Sequence, residues 1–509
     1  MVSIFDTGPP PPCPAPFNMA AYVLGRAASL GDKPALEVLH ADHTEIWKYA
    51  QLERAVLGTA SGLLASGAKP GDRVLMRLGN TVEFPLTYLA CIAVDLVPVP
   101  TAAQLTEPEV AKIIADVTPT LIARGDGIPC PETHVPQIAE AELEVMQSLP
   151  PADYAKGDPE RLGYIIYTSG SSGVPRAVCH AHRAIWARRM MWDGWYGLTA
   201  DDRVLHAGAF NWTYTLGTGL MDPWTVGATA LIPAAGMPTE ALPKLIGEHG
   251  ATLFAAAPGV YRQVLHSADK LRTPTLRHGL SAGEKLSQSV ADGWTRATGT
   301  PIFEAFGMSE CSTFLSGSPT SPPPPGASGY PQLGRKVAIL DDAGAPVPHD
   351  TPGVLAVDRH DPGLMLRYWG AEDETRARFV GDWFLTGDTC AMAADGAITY
   401  LGRADDMMNA GGFRVSPLEV EAILNAHPHV QESAVAEVAV KADTTVIAAF
   451  YVSNPSLDDA DLTTFASQRL ARYKQPRIYR RVAALPKGAN GKLLRRELRQ
   501  RYEDTHGQT

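Results

Sequence analysis

The chain is sparing with cysteine, and none of its cysteines falls in a CxxC pair. The six (Cys13, Cys91, Cys130, Cys179, Cys311 and Cys390) lie far apart with no CxxC spacing. That argues against a disulfide framework or a zinc site and fits reduced thiols in a cytosolic protein. Positive charge is also short: 44 Lys and Arg against 55 Asp and Glu leave a net charge of −11. Such a balance speaks against general nucleic-acid binding and against an acidic membrane surface. No long apolar run is present, since the longest stretch, Pro85–Pro100, is interrupted by Asp95 and ended by prolines. The opening MVSIFDTGPPPPCPAPFN has neither the basic start nor the apolar core of a signal peptide. The expectation is a soluble, cytoplasmic protein without a membrane span and without a nucleic-acid partner.

What is present is a large core. A chain of 509 residues with 45% hydrophobic content has room for several units. Residues 1–17 read as a proline-rich lead lying extended on the surface. From about residue 18 to 330, apolar runs such as RVLMRLGN, TPTLIAR, RVLHAGAF, ATALIPA and ATLFAAA alternate with helical patterns. This predicts α/β units with mostly parallel sheets. After the loop-forming SPTSPPPPGASGYP, short strands with turns predict a β-rich subdomain over 331–404. A boundary near Arg403 then separates a small α+β domain, 405–509, from the large unit, 1–404. Its first helix is predicted at PLEVEAILNAH, opened by Ser416 with capping-box spacing and proline at the first helical position.

The most informative segment is Tyr164–Arg176, YIIYTSGSSGVPR. Gly170 and Gly173 free the backbone so that successive N–H groups converge on an anion. Thr168, Ser169, Ser171 and Ser172 add hydroxyls, and Arg176 adds a charge suited to phosphate oxygens. This is a place to hold a polyphosphate, although no Gly-Lys-Ser/Thr closes it as in a Walker A loop.

Downstream come FGMSE (306–310), TGD (386–388), GRADDMMNAGGFRVSPLEVE (402–421) and PKGANGKLLRREL (486–498). With the loop, these five ordered motifs resemble the adenylate-forming superfamily, in particular its acyl- and aryl-CoA synthetases. The resemblance extends from about residue 18 to Glu497. One departure is visible: the loop closes with Pro175-Arg176-Ala177 where the family has Pro-Lys-Gly, which keeps the charge but changes its geometry and stiffens the loop's end.

A carboxylate is already ionised at neutral pH, so attack on a phosphate needs no general base. Catalysis has instead to hold two anions together and to stabilise the charge building on the phosphoryl oxygens. The resemblance implies ATP, Mg²⁺ and coenzyme A, with a small-molecule carboxylic acid as partner, and it allows a homodimer. It implies that Lys492 bridges the carboxylate and the α-phosphate, that Glu310 with Thr168 meets Mg²⁺, and that the 168–176 loop holds the outer phosphates. Asp388 would take the ribose hydroxyls, and Arg403 a phosphate or the ribose. Gly283, Glu284, Glu304, Ala305, Phe306, Gly307, Met308 and Ser309 would line the nucleotide, with Phe306 facing adenine. Asp405 matches the hinge about which the C-terminal domain turns between half-reactions. Gly411, Gly412, Phe413 and Arg414 would then line the path of the pantetheine arm.

The acyl pocket is implied at Phe210, Trp212, Tyr214, Gly217, Ala257, Gly283 and Met308. Bulky aromatics with no Arg or Lys among them favour an uncharged acyl group over a dicarboxylic acid, of benzoate type or of short to medium chain length. His180 and His182, without acidic or Cys companions, read as packing or solvent contacts rather than a metal site. The tail RRELR (495–499) reads as a solvated helix face. Two alternatives stay open: an adenylating enzyme that loads a separate carrier protein, and a silent acyl-AMP or nucleotide sensor. Only 17 residues follow Lys492, so no fused carrier is expected.

Overall fold

The five apolar runs are all strands, and hydrogen bonding sorts them into two sheets. In the computed structural model, the described residues are 2–168, 176–267, 270–283, 285–403, 406–410, 413–441, 444–453, 457–470, 472–488 and 493–506. Val97–Pro100, Arg73–Arg77, Leu121–Arg124 and Gln137–Ala139 form a four-stranded parallel sheet. A nine-stranded sheet has six parallel strands at its centre: Ile302–Met308, His278–Ala282, Leu253–Ala256, Arg203–His206, Thr229–Pro233 and Pro34–Leu39. Five of these strands are buried on both faces and rich in Val, Leu, Ile and Ala, as parallel strands covered by helices must be, while Ile302–Met308 is buried on one face only. Antiparallel strands close both edges of this sheet.

Helices pack the faces through large aromatics. Trp294, on the helix Gln288–Thr298, is fully buried between Phe254 and Tyr261, with ring centroids 5.5 and 4.8 Å away. Truncating such a side chain typically costs about 3–5 kcal/mol.

Two arrangements depart from the sequence reading. The strand leading into the Gly/Ser loop is part of an antiparallel hairpin, Leu162–Thr168 with Arg176–Ala181, rather than of a parallel unit. Nor is the proline-rich lead merely laid on the surface. Ile4–Asp6 pairs with Lys336–Leu340 at the edge of the β-rich sheet, and Ser3 is fully buried. That antiparallel sheet continues through Gly353–Asp358, Trp383–Met392 and Ile398–Arg403.

Beyond residue 406 the chain has its own core, built on Val430–Lys441, Thr444–Ser453 and Ile478–Arg481, with Val420, Leu424, Val435, Ile447 and Leu462 buried between them and the helices. Helix Pro417–Asn425 is capped by Ser416, whose hydroxyl accepts from the Glu419 N–H at 3.4 Å. The capping box is only half formed, because the Glu419 side chain goes to Lys474 instead. Helix Arg495–His506 is not a solvated face: Leu498 is buried, and Arg495 makes a bidentate pair with Glu421 at 2.7–2.9 Å. No helix among the described residues is long and apolar enough to cross a membrane.

Candidate active site

The hairpin register sets Thr168 opposite Arg176, so the two flank the mouth of the loop between them. Ser169, Gly170, Ser171, Ser172 and Gly173 lie outside the described residues. Arg176 pairs with Glu374 at 2.8 Å and stands 5.2 Å over the ring of Tyr368. The Tyr368 hydroxyl in turn donates to Glu310 Oε1 at 2.7 Å. Burial first, and then the Glu310 charge, push the Tyr368 phenol well above its ordinary range, so it stays a donor at neutral pH. The Glu310 carbonyl accepts from Met365 N at 2.7 Å, which fixes the turn from the backbone side. His180 also serves this site. It stacks on Tyr164 at 4.8 Å, and its Nε2 lies 2.7 Å from the Ser309 carbonyl, which can only accept. Nε2 therefore carries the proton, and burial drives the His180 pKa down to about 4, keeping the ring neutral.

Glu310 sits at the tip of a second hairpin, Ile302–Met308 with Ser312–Ser316. The register shifts between Phe306 and Gly307, and a Cβ on Gly307 would lie 2.2 Å from the Ser312 carbonyl oxygen, so only glycine fits. Phe306 packs 5.1 Å from Tyr400, a residue of the strand that ends at Arg403. Behind them Glu304 accepts from Lys285 Nζ at 3.1 Å and Leu286 N at 3.0 Å, and Lys285 also reaches Ser328 at 3.1 Å. Burial raises the Glu304 pKa, and Lys285 opposes that rise. Ala305 is buried, while Gly307 and Ser309 are exposed. Glu284 is outside the described residues.

Asp388 is registered against Arg403, with Nη1 3.3 Å from Oδ1. The turn before it depends on Gly387, whose φ of +77° belongs to the left-handed region, and Arg403 and Arg378 both lean on that glycine. Arg378 also donates to the Thr386 carbonyl at 2.9 Å. Neither Arg378, Tyr368 nor Tyr400 carries a sequence signal. Each is recruited by a partner far away in the chain.

Of the residues assigned to the acyl pocket, Trp212, Tyr214 and Gly283 are brought together. Trp212 and Tyr214 are half-buried and perpendicular, 5.0 Å apart, with Gly283 beside Trp212. Phe210, by contrast, belongs to the hydrophobic core. His206 is fully buried 4.5 Å from Tyr214, and burial holds it neutral by lowering its pKa to about 3. Ala257 and Met308 are half-buried. No Arg or Lys stands among the assigned residues, but Arg188 lies beside one of them: a Cβ on Gly217 would be 2.6 Å from its Nη2.

Lys492, Asp405, Gly411 and Gly412 lie outside the described residues. Phe413 and Arg414 enter only through their backbone, paired with Ala410 and Asn409. The fit to Mg²⁺ rests on Glu310, a hard carboxylate held by Tyr368, over whose ring Arg176 stands. Among the described residues no three acidic, His or Cys groups converge. Mg²⁺ usually keeps several waters and is held by one or two carboxylates together with substrate phosphates.

The family model of AMP-binding enzymes matches residues 25–369, and the model of the AMP-binding enzyme C-terminal domain matches residues 419–492. A 3-hydroxybenzoate–CoA ligase of Aromatoleum sp. (strain CIB) is 28% identical over 95% of this chain and 97% of its own. A mitochondrial acyl-coenzyme A synthetase of Homo sapiens is 29% identical over 96% and 91%. Among solved structures, an anthranilate CoA ligase in complex with anthranoyl-AMP superposes with a TM-score of 0.87 at 26% identity, covering 96% of this chain and 98% of that one. With the two models in order along the chain and two thirds of it spanned by the first alone, the protein belongs to the family of AMP-binding enzymes.

Proposed function

We propose that this protein is an ATP-dependent carboxylic acid–CoA ligase. It joins a carboxylate to the α-phosphate of ATP, releasing pyrophosphate, and then exchanges AMP for the thiol of coenzyme A. Beyond the reacting carboxylate the acyl group is small and uncharged, aromatic or aliphatic of short to medium length. The observation that carries the reading is the Glu310–Tyr368–Arg176 chain at the mouth of the Gly/Ser loop. It gathers one hard oxygen, one phenolic donor and one fixed cation where a polyphosphate would lie. The named relatives, CoA ligases and acyl-CoA synthetases, support the acceptor.

In this reading Thr168, Arg176 and the loop residues 169–173 hold the outer phosphates. Phe306 and Tyr400 form the aromatic platform for adenine, and Asp388 receives the ribose hydroxyls. Arg403, tethered to Asp388, brings its fixed positive charge to the nucleotide. Lys492 comes from the C-terminal domain to neutralise both reacting anions during the first step. Mg²⁺, when bound at Glu310 and Thr168, supplies charge neutralisation on the phosphates. The large unit 1–404 and the small unit 405–509 turn about Asp405 between steps, opening the way past Gly411, Gly412, Phe413 and Arg414 to the thiol. Cytoplasmic location and a homodimeric assembly complete the proposal.

The test incubates the protein with ATP, Mg²⁺, coenzyme A and a pool of aliphatic and aromatic acids, and identifies products by mass spectrometry. An acyl-CoA that disappears in Lys492→Ala is expected. Acyl-AMP without thioester would favour a carrier-loading enzyme, and neither product would favour a silent binder.

A further inference from the structure

One buried charged cluster has no task in the adenylation chemistry. The Arg188 guanidinium grips Asp222 through Nε and Nη2, with contacts of 2.6–3.1 Å to both carboxylate oxygens. The Asp222 side chain is 1% exposed and that of Arg188 is 13% exposed, so the positive member is the more accessible one. Tyr196 donates to Asp222 Oδ2 at 2.8 Å, and Arg188 Nη2 reaches Thr218 Oγ1 at 3.3 Å. Arg188 Nη1 donates to Ser312 Oγ at 2.7 Å.

This guanidinium therefore joins the two regions that an acid must touch. Ser312 stands just past Glu310 on the same hairpin. Gly217 stands just past Tyr214 on the helical segment Thr215–Met221, and only its missing side chain lets the guanidinium lie where it does. Ser312 has φ +59°, a left-handed conformation that a non-glycine residue holds only under restraint, and the Arg188 contact is one such restraint.

An arginine buried at a pocket needs an anion, and here the protein provides it. The pair carries no net charge. A second carboxylate on the acyl group would have to shed its water against a cation already satisfied, which is unfavourable. We infer that Asp222 is the residue that sets the acyl specificity: it occupies Arg188, and so masks a cation site that would otherwise accept the second carboxylate of a dicarboxylic acid. Asp222 is a positioning residue, acting through Arg188. This deepens the proposed acid–CoA ligase activity and rests on it.

The test compares thioester formation from matched acids, benzoic with isophthalic and hexanoic with adipic, in the full-length protein. The readout is the ratio of kcat/KM for the dicarboxylic acid to that for its monocarboxylic partner. A merely structural role would scale both acids together and leave this ratio unmoved. Wild type is expected to favour the monocarboxylic acid, and Asp222→Asn to raise the ratio by about tenfold or more, chiefly through KM for the dicarboxylic acid. The double variant Arg188→Met with Asp222→Leu removes the cation together with its mask and is expected to leave the ratio at that of wild type. Should Asp222→Asn fail to fold, Asp222→Ser, whose smaller side chain leaves room for water on the guanidinium, carries the same expectation as Asp222→Asn. An unchanged ratio in folded Asp222→Asn or Asp222→Ser, or a double variant whose ratio rises as far as that of the single variant, overturns the inference. Absence of any wild-type thioester would instead overturn the underlying ligase reading, so the two failures are told apart.

Discussion

Replacing Tyr368 by Phe removes one atom from the centre of the candidate site and leaves the rest of the packing in place. The hydroxyl lost donates to Glu310 Oε1 at 2.7 Å from a ring that is buried on its other sides. A hydrogen bond to a charged group contributes about 1.5–3 kcal/mol. The Glu310 backbone remains tied to Met365 N at 2.7 Å, so the carboxylate loses its aim rather than its position. The lower end of that range is therefore expected, about 1.5 kcal/mol, which is a little more than a roughly tenfold fall in kcat/KM. ATP–pyrophosphate exchange measures this step alone, and the loss should fall mainly on Mg·ATP, not on the acid. Glu310→Gln, which deletes the charge itself, should cost at least about a hundredfold. A Tyr368→Phe enzyme within about threefold of wild type, or one as impaired as Glu310→Gln, would refute the reasoning.

Gly307→Ala would drive a methyl group into the Ser312 carbonyl, 2.2 Å away, and should destabilise the hairpin by about 1–3 kcal/mol while reducing exchange activity. An unshifted urea midpoint would contradict this. Asp361→Ala strands Arg335, which is completely buried, and should cost about 3–5 kcal/mol in denaturant unfolding. A loss below about 1 kcal/mol would mean that water or another anion takes over. Stability should also fall with pH. His180, His206 and His278 have folded pKa values lowered to about 4, 3 and 4. Between roughly pH 6.5 and 4 the unfolded chain therefore binds the more protons, and each such histidine removes roughly 1 kcal/mol per unit as pH drops. Flat unfolding free energies across that window would mean the rings already ionise in the fold.

Much of the architecture was legible because it is written in local pattern. Runs such as ATLFAAA and ATALIPA announce strands buried on both faces, and Ser416 followed by Pro417 announces a helix start. Thr168, Arg176, Glu310, Asp388 and Arg403 were legible as motifs. What escaped depends on pairs distant in sequence. Nothing near Arg188 signals that Asp222 will meet it, or that Gly217 will leave it room. His180 reads as a packing residue and does pack, but its proton also fixes the turn that carries Glu310. Tyr368 looks like any strand aromatic until the fold sets it between Arg176 and Glu310. Phe210 shows the reverse error, a bulky aromatic that looks fit for a ligand and is taken up by the core.

The strand Ile4–Asp6 imposes an order on how the molecule is assembled. It is made well before its partner Lys336–Leu340, which follows only after most of the large unit, and the hydroxyl of Ser3 bonds to a carbonyl 345 positions away. During synthesis the early segment has to wait unpaired, and the proline run that follows it offers little else to pair with. The sheet's outer rim is thus sealed in one of the last steps of folding. Until then the Lys336–Leu340 strand presents open hydrogen-bonding groups to other chains. Shortening the protein ahead of Thr7 would make that interval permanent, turning a late folding step into a standing route to aggregation.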